Sequence, residues 1–218
     1  MLRPQNRFVT RLRLQLLDAF VPTSCICCSA VGSLICAGCK ALFDTVPRQV
    51  TRGPISGWAA MDLHSAAASA IIAFKDRGRT ATKAWLASGL APLLQNYLSQ
   101  HPNVALVSMP VRAAALKRRG FDHARTLALA LQAQTGVSVA KGALTFARQA
   151  SDQRKLGVRG RSTNLADSMV AKPLNRPVVL VDDVVTTGAT LLEGRRALMQ
   201  AGVEVIGFVT IAETLAKS

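Results

Sequence analysis

The chain has 218 residues, half of them apolar, enough for one full hydrophobic core plus a small appendage and against the composition of a disordered chain. Lysine plus arginine number 27 against 12 acidic residues, and the net charge of +15 favours a polyanionic partner, either a pyrophosphorylated sugar or nucleic acid, without choosing between them. Only 5% of residues are aromatic, few for a base-stacking platform, and the apolar run at residues 66–74 is too short for a membrane span, so the expected location is cytoplasmic.

Residues 1–20 place Arg3, Arg7, Arg11 and Arg13 beside Phe8, Leu12, Leu16 and Leu17, the pattern of a basic amphipathic surface helix, with neither the apolar region nor the cleavage site of a secretory signal. All five cysteines follow closely: Cys25, Cys27, Cys28, Cys36 and Cys39. Cys25, Cys28, Cys36 and Cys39 spell C-x2-C-x7-C-x2-C, in which each two-residue gap forms a knuckle and two knuckles complete a tetrahedron of thiolates around structural Zn2+. A redox C-x-x-C and a disulfide pair are the competing readings; duplication of the motif weakens the first and the lack of an export signal the second. Cys27 leaves a register ambiguity, and the clean spacing makes it a spare thiol. Residues 1–50 therefore read as a helix followed by a zinc-ribbon-like module. Pro47, Gly53, Pro54 and Gly57 read as a linker to a body over residues 57–218.

From about residue 58 helical and extended patterns alternate, which predicts an α/β fold: a parallel sheet flanked by helices. Helices are expected over residues 65–74 and 80–98, with Lys75, Arg77, Gly78 and Arg79 between them as an anion-binding turn. A strand at 104–107 leads into a basic loop carrying Pro110, Arg112, Lys117, Arg118, Arg119 and Gly120, then a helix at 121–134 and a strand at 144–147. The polar stretch 148–167, with Gln153, Arg154, Lys155, Arg159, Arg161 and Asn164, reads either as a lid that excludes water or as a solvated charged loop. A last strand is expected at 203–211. His64, His101 and His123 are scattered; His123, beside the basic loop, is the weak acid–base candidate.

The most informative run is VVLVDDVVTTGAT at residues 178–190. Its four leading aliphatic residues form a buried strand, and Asp182 and Asp183 sit at the carboxyl end, where open parallel sheets bind ligands. Thr186, Thr187, Gly188, Ala189 and Thr190 supply hydroxyls and backbone N–H groups ahead of a helix at 189–201 stopped by Gly202, the makings of a phosphate cradle. Phosphate repels carboxylates, so the acids suit ribose hydroxyls or the waters of a metal ion. An isolated acidic pair after a strand is most often a solvated turn; here the whole run supports a site.

This run resembles the phosphoribosyl-pyrophosphate (PRPP) signature of type I phosphoribosyltransferases. With the cysteine knuckles and Arg118-Arg119-Gly120-Phe121 in order, nearly the full chain resembles the ComF family of competence-associated phosphoribosyltransferase-like proteins. Further matches are Lys75 after the first helix of the body, Met109-Pro110-Val111-Arg112, and the set Gln153, Leu156, Arg161 and Asn164. The chain departs from the family at Met109, and at Asp122 and His123, where Asn and Gln are usual.

The resemblance implies a type I phosphoribosyltransferase-like fold, Mg2+ bound with PRPP, and structural Zn2+. It implies Asp182 and Asp183 at the ribose, with Lys75 and Arg119 completing the catalytic set. The turn from Thr186 to Thr190 would surround the 5-phosphate, and Arg112, Lys117, Arg118, Gly120, Gln153 and Arg161 would join in holding PRPP. It also implies a link to DNA uptake or use, with an unknown acceptor for the phosphoribosyl group. The competing reading is a PRPP-sensing factor that binds single-stranded DNA and performs no turnover.

Overall fold

The computed structural model describes residues 24–43, 46–75, 82–147 and 167–214. The segment read as a helix over residues 1–20, the turn residues Arg77, Gly78 and Arg79, and the stretch carrying Gln153 and Arg161 lie outside the described residues.

In chain order the elements are α1 (Ala37–Ala41), β1 (Arg48–Arg52), β2 (Ile55–Asp62), α2 (Ser65–Lys75), α3 (Lys83–Leu98), β3 (Ala105–Ser108), α4 (Ala113–Arg119), α5 (His123–Thr135), β4 (Leu144–Phe146), β5 (Met169–Ala171), β6 (Val178–Val185), α6 (Ala189–Gln200) and β7 (Val205–Glu213). The main sheet has the order β1-β2-β7-β6-β3. It is parallel from β2 to β3, and only β1 runs antiparallel, against β2.

Strand β6 shows why the sheet is central. Val178, Val179, Leu180 and Val181 are all fully buried. Val179 and Val181 face a core shared with Phe74, Leu90 and Leu127, whereas Val178 and Leu180 face one shared with Leu144, Leu191 and Leu198. Helices α2, α3 and α5 therefore cover one face, and α6 with the β4–β5 ribbon covers the other. A strand covered on both faces has to be apolar at consecutive positions, and β-branched side chains suit its pleat.

The helices expected at 65–74, 80–98, 121–134 and 189–201 appear with ends shifted by no more than three residues. Three expectations need correction. The supposed linker around Pro47 to Gly57 is the β1–β2 hairpin at the sheet edge, with Val50 and Ile55 buried and Gly53 at φ +55° in its turn. Glycine and proline there marked a tight reversal, not a spacer. The strand at Leu144–Phe146 exists, yet it pairs antiparallel with β5 in a separate two-stranded ribbon and does not enter the parallel sheet. The basic loop after β3 is largely the helix α4, which Gly120 ends with φ +77°.

Gly57 marks the tightest strand contact. A Cβ at this position would overlap both the ring and the carbonyl oxygen of Phe208, its partner on β7. The backbone oxygen cannot move aside without breaking the ladder, so Gly57→Ala should cost about 3 kcal/mol of stability. Thermal unfolding reads this out; an unchanged midpoint would refute the contact.

Candidate functional site

The carboxylates emerge where β6 outruns its neighbour. Strand β3 ends at Ser108, opposite Val181, so Asp182 and Asp183 extend beyond it at the carboxyl edge of the sheet. The Asp183 side chain is 4% exposed. Its Oδ1 accepts the Val184 N–H at 2.9 Å, and its Oδ2 meets Lys75 Nζ at 2.6 Å. Lys75 is placed by the end of α2: Phe74, fully buried just before it, packs edge-on against Phe121 with ring centroids 5.9 Å apart. Asp182 Oδ1 accepts the Asp183 N–H at 2.9 Å. Burial and then the Asp183 carboxylate push the Asp182 carboxyl upward, a push moderated by the part of Asp182 that still meets solvent.

The second arm comes from α4 and α5. Asp122 caps α5 by accepting the Arg125 N–H at 2.9 Å. Asp serves as well as Asn in that role, so the departure from the family pattern there keeps the helix start intact. His123, buried at the first position of α5, brings Nε2 to 3.6 Å from Asp183 Oδ2 and Nδ1 to 3.5 Å from an Arg119 nitrogen. Burial lowers its pKa, with the nearby Asp183 opposing, so the imidazole is neutral at physiological pH.

A cavity of about 410 Å³ collects Lys75, Arg112, Arg119, His123, Asp182, Asp183 and Thr190, with Met109 and Phe146 as apolar lining. Arg112 lies over the Phe146 ring, 4.7 Å from its centroid. Lys117 and Arg118 are exposed on α4 and do not line this cavity, and Gly120 serves as the helix stop. Thr186 and Thr187 are exposed on the turn, Ala189 donates its N–H to Thr187 Oγ1 at 3.3 Å, and Gly188 at φ +80° opens α6. A second cavity of about 400 Å³ lies away from the carboxylates, between Phe43, Trp85, Met61 and Ile211, with Lys40 the one charged lining residue among the described residues.

Two features had no signal in the sequence. The first is Arg52, whose Nε donates to the Thr186 carbonyl at 2.7 Å. The second is a buried clasp on α6. Glu193 Oε1 accepts the Met169 N–H at 2.8 Å and an Arg196 N–H at 2.7 Å, while Oε2 accepts Arg196 Nε at 2.7 Å. Arg196 also donates to the Met169 carbonyl at 2.9 Å, so the pair fastens the β4–β5 ribbon, and with it Phe146, onto the helix that follows the turn.

The Arg196 hydrogen bonds hold the Glu193 carboxyl below its usual range. A depressed carboxylate contributes stability that is fully present above its unfolded value of about 4.3 and is lost as pH falls through the lower folded value. Glu193→Gln should therefore cost about 2 kcal/mol near neutrality, a figure reduced because Arg196 is 28% exposed, and the gap to the native protein should close below about pH 4. Denaturant titrations across pH test this; a gap that does not change with pH would exclude the clasp.

In the amino-terminal module the Sγ atoms of Cys25, Cys28, Cys36 and Cys39 lie within 4.8 Å of one another, and all are free thiols. Cys28 Sγ and Cys36 Sγ are 3.6 Å apart, near the spacing of two sulfurs on one tetrahedral zinc. Burial opposes ionisation of Cys25, yet N–H groups of Cys36, Cys28 and Cys27 outweigh it and lower the thiol to about 6. The four cysteines could hold zinc. Burial and then the Cys25 charge push Cys27, outside that cluster, up to about 11. The carboxylates at the cavity fit a hard cation such as Mg2+: ligand atoms of Asp182, Asp183 and His123 also lie within 4.8 Å of one another.

The family model of the phosphoribosyl transferase domain matches residues 110–218, half of the chain, spanning α4 through β7. The chain belongs to this family. Among its relatives is an adenine phosphoribosyltransferase of Polynucleobacter asymbioticus, 28% identical over 130 residues that cover 57% of this chain and 74% of that one. Another is the DNA utilization protein YhgH of Salmonella typhi, 31% identical over 115 residues covering 50% of this chain and 49% of YhgH. YhgH of Escherichia coli is likewise 31% identical, over 112 residues. The chain thus spans about half the length of the YhgH proteins it matches. A solved adenine phosphoribosyltransferase of Rhodothermus marinus aligns with 82% of this chain and 88% of its own length, at 16% identity and a TM-score of 0.38. Among the described residues of this phosphoribosyltransferase-family chain, no helix is long and apolar enough to cross a membrane.

Proposed function

We propose that this protein binds PRPP and transfers its phosphoribosyl group to an acceptor, releasing pyrophosphate, as a ComF-like member of the family with a role in the handling or use of DNA. The observation that carries this reading is the convergence of two acids, three cations and a turn-proximal threonine on one cavity: Asp182, Asp183, Lys75, Arg112, Arg119 and Thr190. The relatives named for DNA utilization support the cellular role. In this reading residues 1–50 form the amino-terminal zinc module and residues 57–218 the transferase body, to which the β1–β2 hairpin is joined by its pairing with β7.

Asp182 and Asp183 accept hydrogen bonds from the ribose hydroxyls and orient the sugar. N–H and hydroxyl groups from Thr186 to Thr190 hold the 5-phosphate, aided by the amino terminus of α6. The bond from C1 to the pyrophosphate oxygen breaks as the acceptor's nucleophilic atom bonds to C1, and the acceptor's proton leaves to solvent. Lys75, Arg112 and Arg119 stabilise the charge that develops on the departing pyrophosphate. Asp182 and Asp183, beside His123, would hold Mg2+, which when bound would supply positive charge against the leaving pyrophosphate.

A second reading is a PRPP-responsive, non-catalytic factor that binds single-stranded DNA. It is favoured by Lys117 and Arg118, two cations exposed outside the cavity on a chain of net charge +15. Incubation with labelled PRPP and separate pools of bases, nucleosides and single-stranded DNA distinguishes the readings. Pyrophosphate released only when an acceptor is present identifies a transferase; salt-sensitive DNA retention without release identifies a binder. Absence of any PRPP binding would refute both.

A further inference from the structure

Arg52 lies 134 residues from Thr186 in sequence and at the end of an edge strand, yet its guanidinium reaches into the phosphate-type turn. Three elements meet on it. Its Nε donates to the Thr186 carbonyl at 2.7 Å; one terminal nitrogen donates to the Thr51 carbonyl at 3.0 Å; the other reaches Glu213 Oε1 and the Thr214 carbonyl, each at 3.5 Å. The stem of Arg52 also lies against Gly188, where an added Cβ would come within 2.5 Å of the Arg52 Cβ and 2.7 Å of its Cγ. The side chain is 19% exposed.

A trans peptide directs its C=O and the following N–H to opposite sides. Because Arg52 grips the Thr186 carbonyl from the β1 side, the Thr187 N–H points away from β1. Among the described residues neither this N–H nor that of Gly188 meets an acceptor. An unpaired donor on an exposed turn is useful to an anion only if it is held in place beforehand, since ordering each backbone residue costs about 1–2 kcal/mol. The planar fork of arginine can engage carbonyls from three segments and a carboxylate together, which a lysine ammonium at the end of a flexible stem cannot do with the same geometry.

We infer that Arg52 is a positioning residue for the 186–190 turn: it pre-organises the turn's N–H groups for the phosphate of a sugar phosphate and ties them to the end of β7. The inference rests on the PRPP reading for its ligand, but not for its effect on the turn.

The test compares native protein with Arg52→Met, which keeps a stem against Gly188 and removes the guanidinium, and with Arg52→Lys. Amide hydrogen exchange of the ligand-free proteins should rise roughly tenfold or more in the 186–190 segment of Arg52→Met, with β6 and the second half of α6 unchanged. Affinity for ribose 5-phosphate should fall roughly 10- to 100-fold, whereas affinity for pyrophosphate, which the cations of the cavity attract, should stay within about twofold. Arg52→Lys should resemble Arg52→Met more than the native protein. Unchanged exchange in the turn would overturn the inference, and so would equal loss of both ligands, because that marks collapse of the whole site. If native protein bound neither ligand while Arg52→Met still loosened the turn, the positioning role would stand and the PRPP reading would fall.

Discussion

Asp183→Asn should reduce PRPP affinity by about 100-fold, or roughly 3 kcal/mol, in a protein that remains folded. The substitution is nearly isosteric and removes one charge. Asp183 Oδ2 lies 2.6 Å from Lys75 Nζ, and its side chain is 4% exposed. Two consequences compete. Loss of the carboxylate frees the Lys75 charge, which attracts phosphate; it also removes a charged acceptor for ribose hydroxyls, worth about 1.5–3 kcal/mol per hydrogen bond. The second effect wins for PRPP because diol recognition is directional, while Lys75 remains 28% exposed and its attraction is screened. Measured without Mg2+, pyrophosphate, which has no diol, should bind Asp183→Asn as well as the native protein or better. The stability cost should be about 1–2 kcal/mol, below that of a fully buried pair, because Lys75 is partly solvated. Calorimetry with both ligands and a thermal melt give the three readings. Unaltered PRPP affinity would remove Asp183 from the site.

Zinc removal is the second large effect. The module at residues 24–43 buries only Cys25, Ile26 and Cys39, and leaves Val31 at 72% and Leu42 at 51% exposure. Its core with the body is Ile26 against Ala70 and Ala73 of α2, with Leu34, Ile35, Phe43 and Trp85 packed partly buried around them. A single buried isoleucine supplies about 1.5–3 kcal/mol, whereas ordering a segment of this length costs about 1–2 kcal/mol per residue. Four thiolates on zinc, at about 10–16 kcal/mol, would supply the largest single contribution against that cost. Treatment with a strong chelator, or Cys36→Ser, should release stoichiometric zinc and erase amide protection across residues 24–43. The sheet from β2 to β3 should keep its protection, because the buried residues of its two cores all lie outside 24–43, with Phe43 only packed against their edge. A metal-free protein with full protection in residues 24–43 would show that thiol hydrogen bonds and packing suffice.

The strand–acid–turn–helix run at residues 178–190, the helices α2, α3 and α5, and the cysteine knuckles were legible because each depends on neighbours close in sequence. Burial on both faces requires consecutive aliphatic residues, helix faces require a 3.6-residue period, and a knuckle requires two residues between thiols. The site cations were legible only as a pool. Arg112 and Arg119 line the cavity whereas Lys117 and Arg118 do not, and that division follows from α4 being a helix where a loop was expected. Successive helical residues turn by about 100°, so adjacent basic residues cannot share one direction.

What the chain's local pattern determined by itself was the set of elements and the two clusters of chemistry, carboxylates with a threonine turn and paired thiols. Tertiary structure alone decided that Gly53 and Pro54 form a hairpin and not a linker, since β2 gains its partner from β7 some 150 residues later. It likewise decided that β4 leaves the parallel sheet for β5, that Arg52 grips Thr186, and that Glu193 with Arg196 holds Met169. Near-neighbour propensity carries no information on which distant backbone groups will be buried together. Those pairings arise only when the whole core closes and every buried polar group must find a partner.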